Sequence, residues 1–252
     1  MHRIVLITGA TSGFGKAIAE KFASGHWNCI ITGRRADRLH ALADELREKY
    51  SVRVLSLVFD VQRKDEVLQH LGNLPDEWKE IDLLVNNAGL ALGRDTIDKG
   101  HIRDWDIMID TNVKGLLYVT HAVLPYMTAR NQGHIINLGS IAGKEVYEKG
   151  NVYCATKFAV DALSQSMRID LLPHKIKVTA IHPGSAETEF SNIRFKGDEE
   201  KAKQVYGGYT PLYAPDIADI IWYCASLPQH VCINDLIVTC TAQANAVNFY
   251  KE

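Results

Sequence analysis

Short apolar runs recur along the chain, and each ends at glycine or polar residues. The first run, Ile4–Ile7, is entirely aliphatic and stops at Thr8-Gly9. Runs of this length without polar alternation are typical of strands buried on both faces, as in a parallel sheet. Five further runs are mostly apolar with single polar residues, and they are also predicted strands: Cys29–Thr32, Val52–Phe59, Ile81–Val85, His134–Leu138 and Lys177–Ile181. The pattern therefore predicts six parallel strands.

Helical periodicity fills the intervals between these runs. Ile18, Phe22 and several alanines recur at helical spacing after the first glycine turn. Further helices are predicted over Ala36–Lys49, from beyond Asp60-Val61 through Leu74, over about Trp105–Met127 and over Tyr153–Leu172. Strands that alternate with helices indicate an α/β class, a Rossmann-like doubly wound parallel sheet with helices on both faces. Because no linker or repeat interrupts the pattern, we predict a single domain over residues 1–252.

Residues 185–213 break this rhythm. They carry Phe190, Phe195, Tyr206, Tyr209 and Tyr213. A long connection across the ligand edge of a sheet is more often a binding segment than an inert loop. We therefore predict that residues 185–213 bind the substrate.

Composition narrows the class of protein. With 252 residues, 46% hydrophobic and 23% charged, the chain is ordinary for a globular enzyme. The net charge of −2 and the lack of a basic run beyond Arg34-Arg35 argue against nucleic acid as a partner. No apolar run is long enough for a signal peptide or a membrane span, so no membrane partner is expected. Five cysteines without C-x-x-C spacing predict reduced thiols in the cytoplasm, and no metal site is predicted.

A glycine-rich turn follows the first predicted strand. Gly9, Gly13 and Gly15 lie in Thr8–Gly15 with the spacing G-x-x-x-G-x-G, and a predicted helix comes next. In this context the backbone can turn tightly against a pyrophosphate, and the helix N-terminus faces the phosphates. The turn therefore predicts a dinucleotide site.

Two arginines mark the end of the second predicted strand. An NAD site would place a carboxylate about 20 residues after the glycine turn, but Gly33-Arg34-Arg35 stands there. Guanidinium groups bind a 2′-phosphate through charge-assisted hydrogen bonds, whereas a carboxylate repels it. The alternative is that Arg34 and Arg35 are solvated residues opening a helix. The context favours NADP.

The candidate chemistry centres on Tyr153 and Lys157, which a helix would place on one face. An ammonium beside a phenol is expected to lower the phenol pKa and make an acid–base catalyst for a carbonyl or alcohol group. The simpler alternative is an amphipathic helix that happens to carry both residues. Ser140 follows a predicted strand 13 residues earlier, and Asn112 lies inside a predicted helix, where an amide is unfavourable without a partner.

Taken together, these motifs resemble the classical short-chain dehydrogenase/reductase family over essentially the whole chain. The family's catalytic Asn, Ser, Tyr and Lys fall on Asn112, Ser140, Tyr153 and Lys157. The resemblance implies that Tyr153 exchanges a proton with the substrate oxygen, Ser140 binds that oxygen, Lys157 holds the nicotinamide ribose and Asn112 positions a water. It also implies cofactor contacts at Gly9, Thr11, Ser12, Gly13, Phe14, Gly15, Arg34, Arg35, Asp60, Val61, Asn87, Ala88, Gly89, Pro183, Gly184 and Thr188.

A narrower resemblance appears in Glu189–Asp198, which is similar to the branch that oxidises small 3-hydroxy acids such as serine, allo-threonine or 3-hydroxypropionate. A small acid needs a cation near Ser140 and Tyr153, and Arg194 offers a planar fork for a carboxylate. The alternative is a solvated loop arginine. His182 stands where some relatives have Glu. The family resemblance further implies a homotetramer built on the Trp105–Met127 and Tyr153–Leu172 helices.

Two other functions stay open at this stage. One is a reductase of the same fold for a larger apolar substrate, such as a 3-oxoacyl thioester or a steroid. The other is a regulator that binds NADP without turnover, although such proteins usually lack part of the four-residue catalytic set.

Overall fold

Seven parallel strands form the central sheet within the described part of the chain. The computed structural model describes residues 3–198, 200 and 205–252. The strands of this sheet are β1 Ile4–Ile7, β2 Asn28–Gly33, β3 Val54–Val58, β4 Ile81–Asn86, β5 Gly133–Leu138, β6 Ile176–Pro183 and β9 Asp235–Val238. Two short strands, β7 Ala186–Glu187 and β8 Leu212–Tyr213, pair separately and in parallel. The predicted doubly wound parallel sheet is confirmed.

The order across the sheet is β3-β2-β1-β4-β5-β6-β9. The chain winds outward in one direction from β1 and then returns past it to continue from β4, so β1 and β4 flank the point where the winding reverses. Ligands of such sheets bind outside the carboxyl ends of the strands at this point. The glycine turn after β1 and the Asn86–Gly89 motif after β4 both lie there.

Helices cover both faces of the sheet. Their bounds are α1 Gly13–Ser24, α2 Ala36–Tyr50, α3 Lys64–Gly72, α4 Ile102–Ile109, α5 Leu116–Arg130, α6 Asn151–Asp170, α7 Phe190–Arg194 and α8 Ala214–Ser226. A π-helical turn, Asp110–Gly115, joins α4 to α5, so the predicted Trp105–Met127 helix is longer and less regular than its periodicity indicates. Among the described helices, none is both long and apolar enough to cross a membrane.

The apolar runs divide their side chains between two cores. Along β1, Val5 and Ile7 join the core beneath α1, α2 and α8, whereas Ile4 and Leu6 join the core beneath α3, α5 and α6. Successive side chains of a strand point to opposite faces, so a strand covered on both sides is predominantly apolar. This requirement explains why the buried strands are visible in the sequence.

Strand β9, at one edge of the sheet, was not predicted from the sequence, where its apolar run is only the three residues Leu236–Val238. It pairs on one side only, with β6. Its exposure alternates, beginning with the exposed Asp235, and it has no continuous buried run. It nevertheless brings Asp235 close to the end of β6, next to the candidate site.

Candidate active site

The glycine turn packs directly on the residues that follow β4. Gly9 and Gly13 have positive φ angles of 69° and 51°, a backbone region that side chains disfavour. A Cβ at Gly15 would collide with the Gly9 carbonyl. The Asn87 amide donates to the Thr8 carbonyl at 2.8 Å, which braces the turn from the neighbouring strand. The two motifs therefore form one rigid wall of the cleft.

Helix α1 begins at the cleft, and no side chain caps its first N–H groups. Ser12 occupies the N-cap position, but its hydroxyl does not cap the helix and instead accepts a hydrogen bond from Arg35 at 2.7 Å. The first N–H groups of a helix carry a partial positive charge and readily bind phosphate. This end of α1 fits a pyrophosphate.

Helix α6 presents Tyr153 and Lys157 on one buried face, as the spacing predicts. A Cβ at Gly143 would lie 2.5 Å from the Lys157 carbonyl oxygen, so α6 packs tightly on the turn that follows Ser140. The Lys157 ammonium donates to the Leu138 carbonyl at 2.8 Å and lies 5.9 Å from the centre of the Tyr153 ring. Burial lowers the pKa of Lys157 to about 8.

The pKa of Tyr153 shifts in the direction opposite to the one predicted from the sequence. Burial raises this pKa, and the negative charge that Tyr147 can acquire adds to the increase. Hydrogen bonding to Ser140 and the positive charge of Arg194 oppose it without outweighing it. The sequence predicted a pKa lowered by Lys157, but removal of the phenolate from water dominates because the ring is 8% exposed. Tyr153 is therefore held as the protonated phenol, the form that donates a proton.

Asn112 lies in the π-helical turn and is buried beside α6. Its amide oxygen accepts from the Leu90 N–H at 2.8 Å, and its amide nitrogen donates to the Leu90 carbonyl at 2.8 Å and to Thr156 at 3.0 Å. The side chain therefore ties the segment after β4 to α6. These three bonds supply the partner that an amide inside a helix requires.

An arginine cluster lies at the end of β2. The Arg35 guanidinium reaches into the cleft and donates to Thr11 at 2.9 Å and to Glu189 at 2.9 Å. Arg38 donates to the same Glu189 carboxylate at 2.8 Å. Arg34 is more exposed and pairs with Asp60 at 3.4 Å. Arg38 was not identified from the sequence, although its position about one helical turn after Arg34 and Arg35 is a usable signal.

Arg194 lines another part of the same cleft, between two tyrosine rings. Its guanidinium carbon is 5.5 Å from the centre of the Tyr147 ring and 5.6 Å from that of Tyr153. It donates to the Tyr147 hydroxyl at 2.8 Å. Its buried Nε has no hydrogen-bond partner among the described residues. Phe190 packs on Tyr153 at 5.7 Å between ring centres. Tyr147 was not identified from the sequence.

The segment predicted to bind substrate closes one side of the cleft. Its described part, 185–198, 200 and 205–213, is held by tyrosine hydroxyls: Tyr206 donates to the Ala186 carbonyl at 2.8 Å, and Tyr209 pairs with Ser185 at 2.7 Å. Residues 199 and 201–204 lie outside the described residues. Gln243 braces the Pro183-Gly184 turn by accepting from the Ser185 N–H at 2.7 Å.

The cleft has a volume of about 1120 Å³. Ser140, Arg194 and every predicted cofactor residue except Gly15 line it. Gly15 lies behind the turn, where it permits close packing of α1. The N-terminal end of α1, the arginines at the end of β2 and the buried Tyr153–Lys157 pair occupy separate parts of one cleft. This arrangement fits an extended dinucleotide phosphate.

Comparison with known proteins agrees with this geometry. The model of the family described as "short chain dehydrogenase" matches residues 3–199. The chain is 50% identical over 232 residues to the NADP-dependent 3-hydroxy acid dehydrogenase YdfG of Salmonella typhi, covering 92% of each chain. It is 46% identical over 245 residues to sulfoacetaldehyde reductase 2 of Chromohalobacter salexigens, covering 97% of this chain and 96% of the relative.

A solved structure shows the same likeness. The closed form of a serine dehydrogenase complexed with NADP⁺ superimposes with a TM-score of 0.92 at 46% identity, over 99% of this chain and 100% of the other. The chain belongs to the short-chain dehydrogenase family.

Proposed function

We propose that the protein is an NADP-dependent oxidoreductase that transfers a hydride between NADP(H) and a small 3-hydroxy acid or its 3-oxo counterpart. The observation that carries the substrate class is Arg194, whose guanidinium lies 5.6 Å from the Tyr153 ring centre with one N–H unpaired among the described residues. A cation beside the proton donor suits a substrate whose carboxylate lies close to its reacting oxygen. The activities named for the relatives support this class.

NADP is the cofactor, and the chain's residues fit it at each end. Arg35 offers its guanidinium to the 2′-phosphate, with Arg34 and Arg38 nearby. The amides at the start of α1 receive the pyrophosphate. Lys157 and Thr188 serve the nicotinamide end. When bound, the cofactor supplies or accepts the hydride.

The protein's own groups handle the proton and the oxygen. In the reducing direction the Tyr153 phenol donates its proton to the substrate carbonyl oxygen, and the Ser140 hydroxyl donates a hydrogen bond to the same oxygen. Lys157, fixed by the Leu138 carbonyl, stabilises the phenolate that forms. In the oxidising direction Tyr153 accepts the proton from the hydroxyl. Asn112 holds the Leu90 segment and α6 in register.

Arg194→Ala tests the substrate class. Loss of the carboxylate partner should cost on the order of 2–5 kcal/mol in kcat/KM for the acid. The methyl ester of the same substrate should be far less affected. The guanidinium carbon of Arg94 lies 5.9 Å from the centre of the Tyr147 ring, and Arg94 is exposed, so Arg94→Ala is the matched control. Equal losses on acid and ester would show that Arg194 is structural.

A sulfonate substrate is the second candidate. A guanidinium binds a sulfonate as well as a carboxylate, and one relative is named a sulfoacetaldehyde reductase. A panel of 3-oxo acids, sulfoacetaldehyde and a 3-oxoacyl thioester would separate these substrates, with the acids expected to react best. NADPH consumption with and without substrate would separate an enzyme from a binding protein without turnover.

We also propose that the chain is one domain, with residues 185–213 as its substrate-binding segment, and that it forms a homotetramer through α4–α5 and α6. Ile109, Leu117, Phe158 and Ile169 on these helices are 38–74% exposed despite their apolar character. Exposed apolar side chains on adjoining helices are typical of a contact surface. Light scattering should give a tetramer, and a stable monomer at micromolar concentration would contradict it.

A cytoplasmic location is proposed as well. The five cysteines are free thiols, and four of them are buried. Free thiols persist in reducing compartments. Fractionation of cells that express the protein would test this location.

A further inference from the structure

A buried histidine lies directly behind Ser140. His182, at the end of β6, is entirely inaccessible to solvent. Its ring fills the space beside Gly139, where any Cβ would collide with it. Its Nδ1 lies 3.1 Å from the carbonyl oxygen of Ser140, and this contact is a hydrogen bond. Among the described residues the ring forms no second hydrogen bond. The histidine therefore contacts the backbone of a residue whose hydroxyl faces the cleft.

Two carboxylates and an ammonium group surround the other side of the ring. His182 Nε2 lies 2.9 Å from an Asp235 oxygen and 3.6 Å from an Asp161 oxygen. Lys144 Nζ lies 2.9 Å from each of these carboxylates. Histidine and two aspartates at these distances resemble a metal-ligand set. The Lys144 ammonium already bridges both carboxylates, so the four groups form an ion-pair network and not a metal site.

The network joins the elements that carry the catalytic groups. Lys144 follows the short turn Ile141–Gly143 after Ser140. Asp161 lies on α6 one turn beyond Lys157, on the same helix face. Asp235 begins β9. A charged network between these elements and β6 fixes the end of β5 relative to the helix of Tyr153 and Lys157.

The protonation of the ring follows from its surroundings. Burial lowers the pKa of His182, and the Lys144 charge lowers it further, against the opposing effects of Asp235, the Ser140 carbonyl and Asp161. A neutral imidazole has one N–H. The Ser140 carbonyl and the Asp235 carboxylate can both only accept. Nδ1 has hydrogen-bond geometry toward Ser140, whereas Nε2 has none toward Asp235 or any other described residue, so the hydrogen belongs on Nδ1.

We propose that His182 is a positioning residue for Ser140. Through the Nδ1–H bond to the Ser140 carbonyl it holds the backbone from which the Ser140 hydroxyl reaches the substrate oxygen, and Lys144, Asp161 and Asp235 hold the ring in turn. This inference rests on the proposed role of Ser140 in binding the reacting oxygen. It adds to that role a residue that touches neither substrate nor cofactor.

Two amide substitutions separate positioning from packing. The amide nitrogen of Asn is as far along the side chain as Nδ1, and that of Gln as far as Nε2. His182→Asn therefore keeps the donor to Ser140 but leaves a cavity, whereas His182→Gln fills the space and loses the donor. Positioning predicts that His182→Asn retains more kcat, while His182→Gln loses on the order of tenfold, less than the ~100-fold associated with a 1 Å misplacement. NADPH affinity and KM should change little in either variant.

If His182 only fills space, the order of kcat should be reversed. His182→Gln, whose volume matches the histidine better, would then be more active than His182→Asn. Higher or equal kcat in His182→Gln, or unchanged kcat in both variants, would overturn the proposal. His134 is a second buried histidine of the same sheet, bonded to Thr179 at 2.8 Å and not to Ser140, so His134→Gln is the matched control. It should reduce the melting temperature without a matching loss of kcat. A loss of kcat equal to that of His182→Gln would also overturn the proposal.

A double-mutant cycle tests the route through Ser140 and does not depend on the Asn variant folding. Ser140→Ala should lower kcat by about 100-fold if Ser140 binds the reacting oxygen. In that background His182→Gln should have almost no further effect, because the group it positions is gone. Additive losses would refute the inference and leave the role of Ser140 intact. Normal kcat in Ser140→Ala would refute the role of Ser140 itself, and the inference with it.

Discussion

The Glu189 carboxylate lies 2.9 Å from the Arg35 guanidinium, and this contact joins the substrate side of the cleft to the end of β2. Arg38 donates to the same carboxylate at 2.8 Å. Glu189 directly precedes α7, which carries Phe190 and Arg194. The Glu189 carboxylate thus engages the guanidinium groups that we assign to the 2′-phosphate. Glu189 lies on the same segment as Arg194, the proposed anchor of the substrate carboxylate.

Glu189→Gln is expected to tighten NADPH binding. The substitution keeps the size of the side chain but removes the charge that competes with a 2′-phosphate for Arg35 and Arg38. Loss of one charge-assisted interaction predicts a change of about tenfold in Kd. NADH, which lacks the 2′-phosphate, should bind as before. Fluorescence titration measures both constants. Glu187 is exposed on the neighbouring strand, so Glu187→Gln is the control, and an unchanged NADPH Kd in Glu189→Gln would contradict the competition.

Arg35→Ala is expected to weaken NADPH binding more than Arg34→Ala does. Arg35 points into the cleft and bonds to Thr11 and Ser12, whereas the Arg34 side chain is 57% exposed. Hydrogen bonds to a charged group contribute about 1.5–3 kcal/mol, so Arg35→Ala should raise the NADPH Kd by at least about tenfold. NADH affinity should be nearly constant. A wild-type enzyme with equal kcat/KM for NAD and NADP would disprove the assigned preference.

Tyr153→Phe should abolish turnover and leave NADPH binding intact. Only the proton donor is removed, and general acid catalysis contributes about 10²–10⁴-fold. Lys157→Ala should impair both turnover and NADPH binding, because we propose that Lys157 serves the ribose as well as the phenolate. Steady-state rates and NADPH titration on the same preparations test both statements. Near-normal activity in Tyr153→Phe would remove this residue from the mechanism.

The buried Lys157 should make stability depend on pH in a defined window. Its pKa is about 8 in the folded chain and 10.5 when unperturbed. Between these values the unfolded chain binds one more proton, so the stability contributed by this residue rises with pH, by up to about 1.4 kcal/mol per pH unit. Below pH 8 the full cost of burying the ammonium applies.

Lys157→Met removes this titration and retains an apolar side chain of similar length. The free energy of unfolding of the wild type minus that of Lys157→Met, without cofactor, should therefore increase from pH 8 to pH 10. Subtraction cancels the titration of the buried cysteines Cys29 and Cys224, whose pKa values are raised. Urea unfolding at several pH values gives the difference. A constant difference would show that Lys157 titrates outside this window.

Much of the fold was visible before the tertiary structure was known. Runs such as Ile4–Ile7 must be apolar because helices cover both faces of the strand, so burial leaves a continuous signature. The helices between them make the sheet parallel, and parallel strands bring their carboxyl ends to one edge. For that reason Gly9–Gly15, Ser140 and the Tyr153–Lys157 pair could be assigned to one cleft from their places after strands or on a helix face.

Other features depend on contacts between distant segments, which local patterns do not encode. Arg194 meets Tyr147 across 47 residues of sequence, and Glu189 meets Arg35 across 154. Edge strand β9 has an apolar run of only three residues, yet it delivers Asp235 to His182. The pKa of Tyr153 rises because tertiary burial outweighs its neighbours' charges, a balance that spacing along a helix cannot reveal. Residue types and periodicity determine the order of elements, whereas packing decides which side chains share a site and how strongly each one is desolvated.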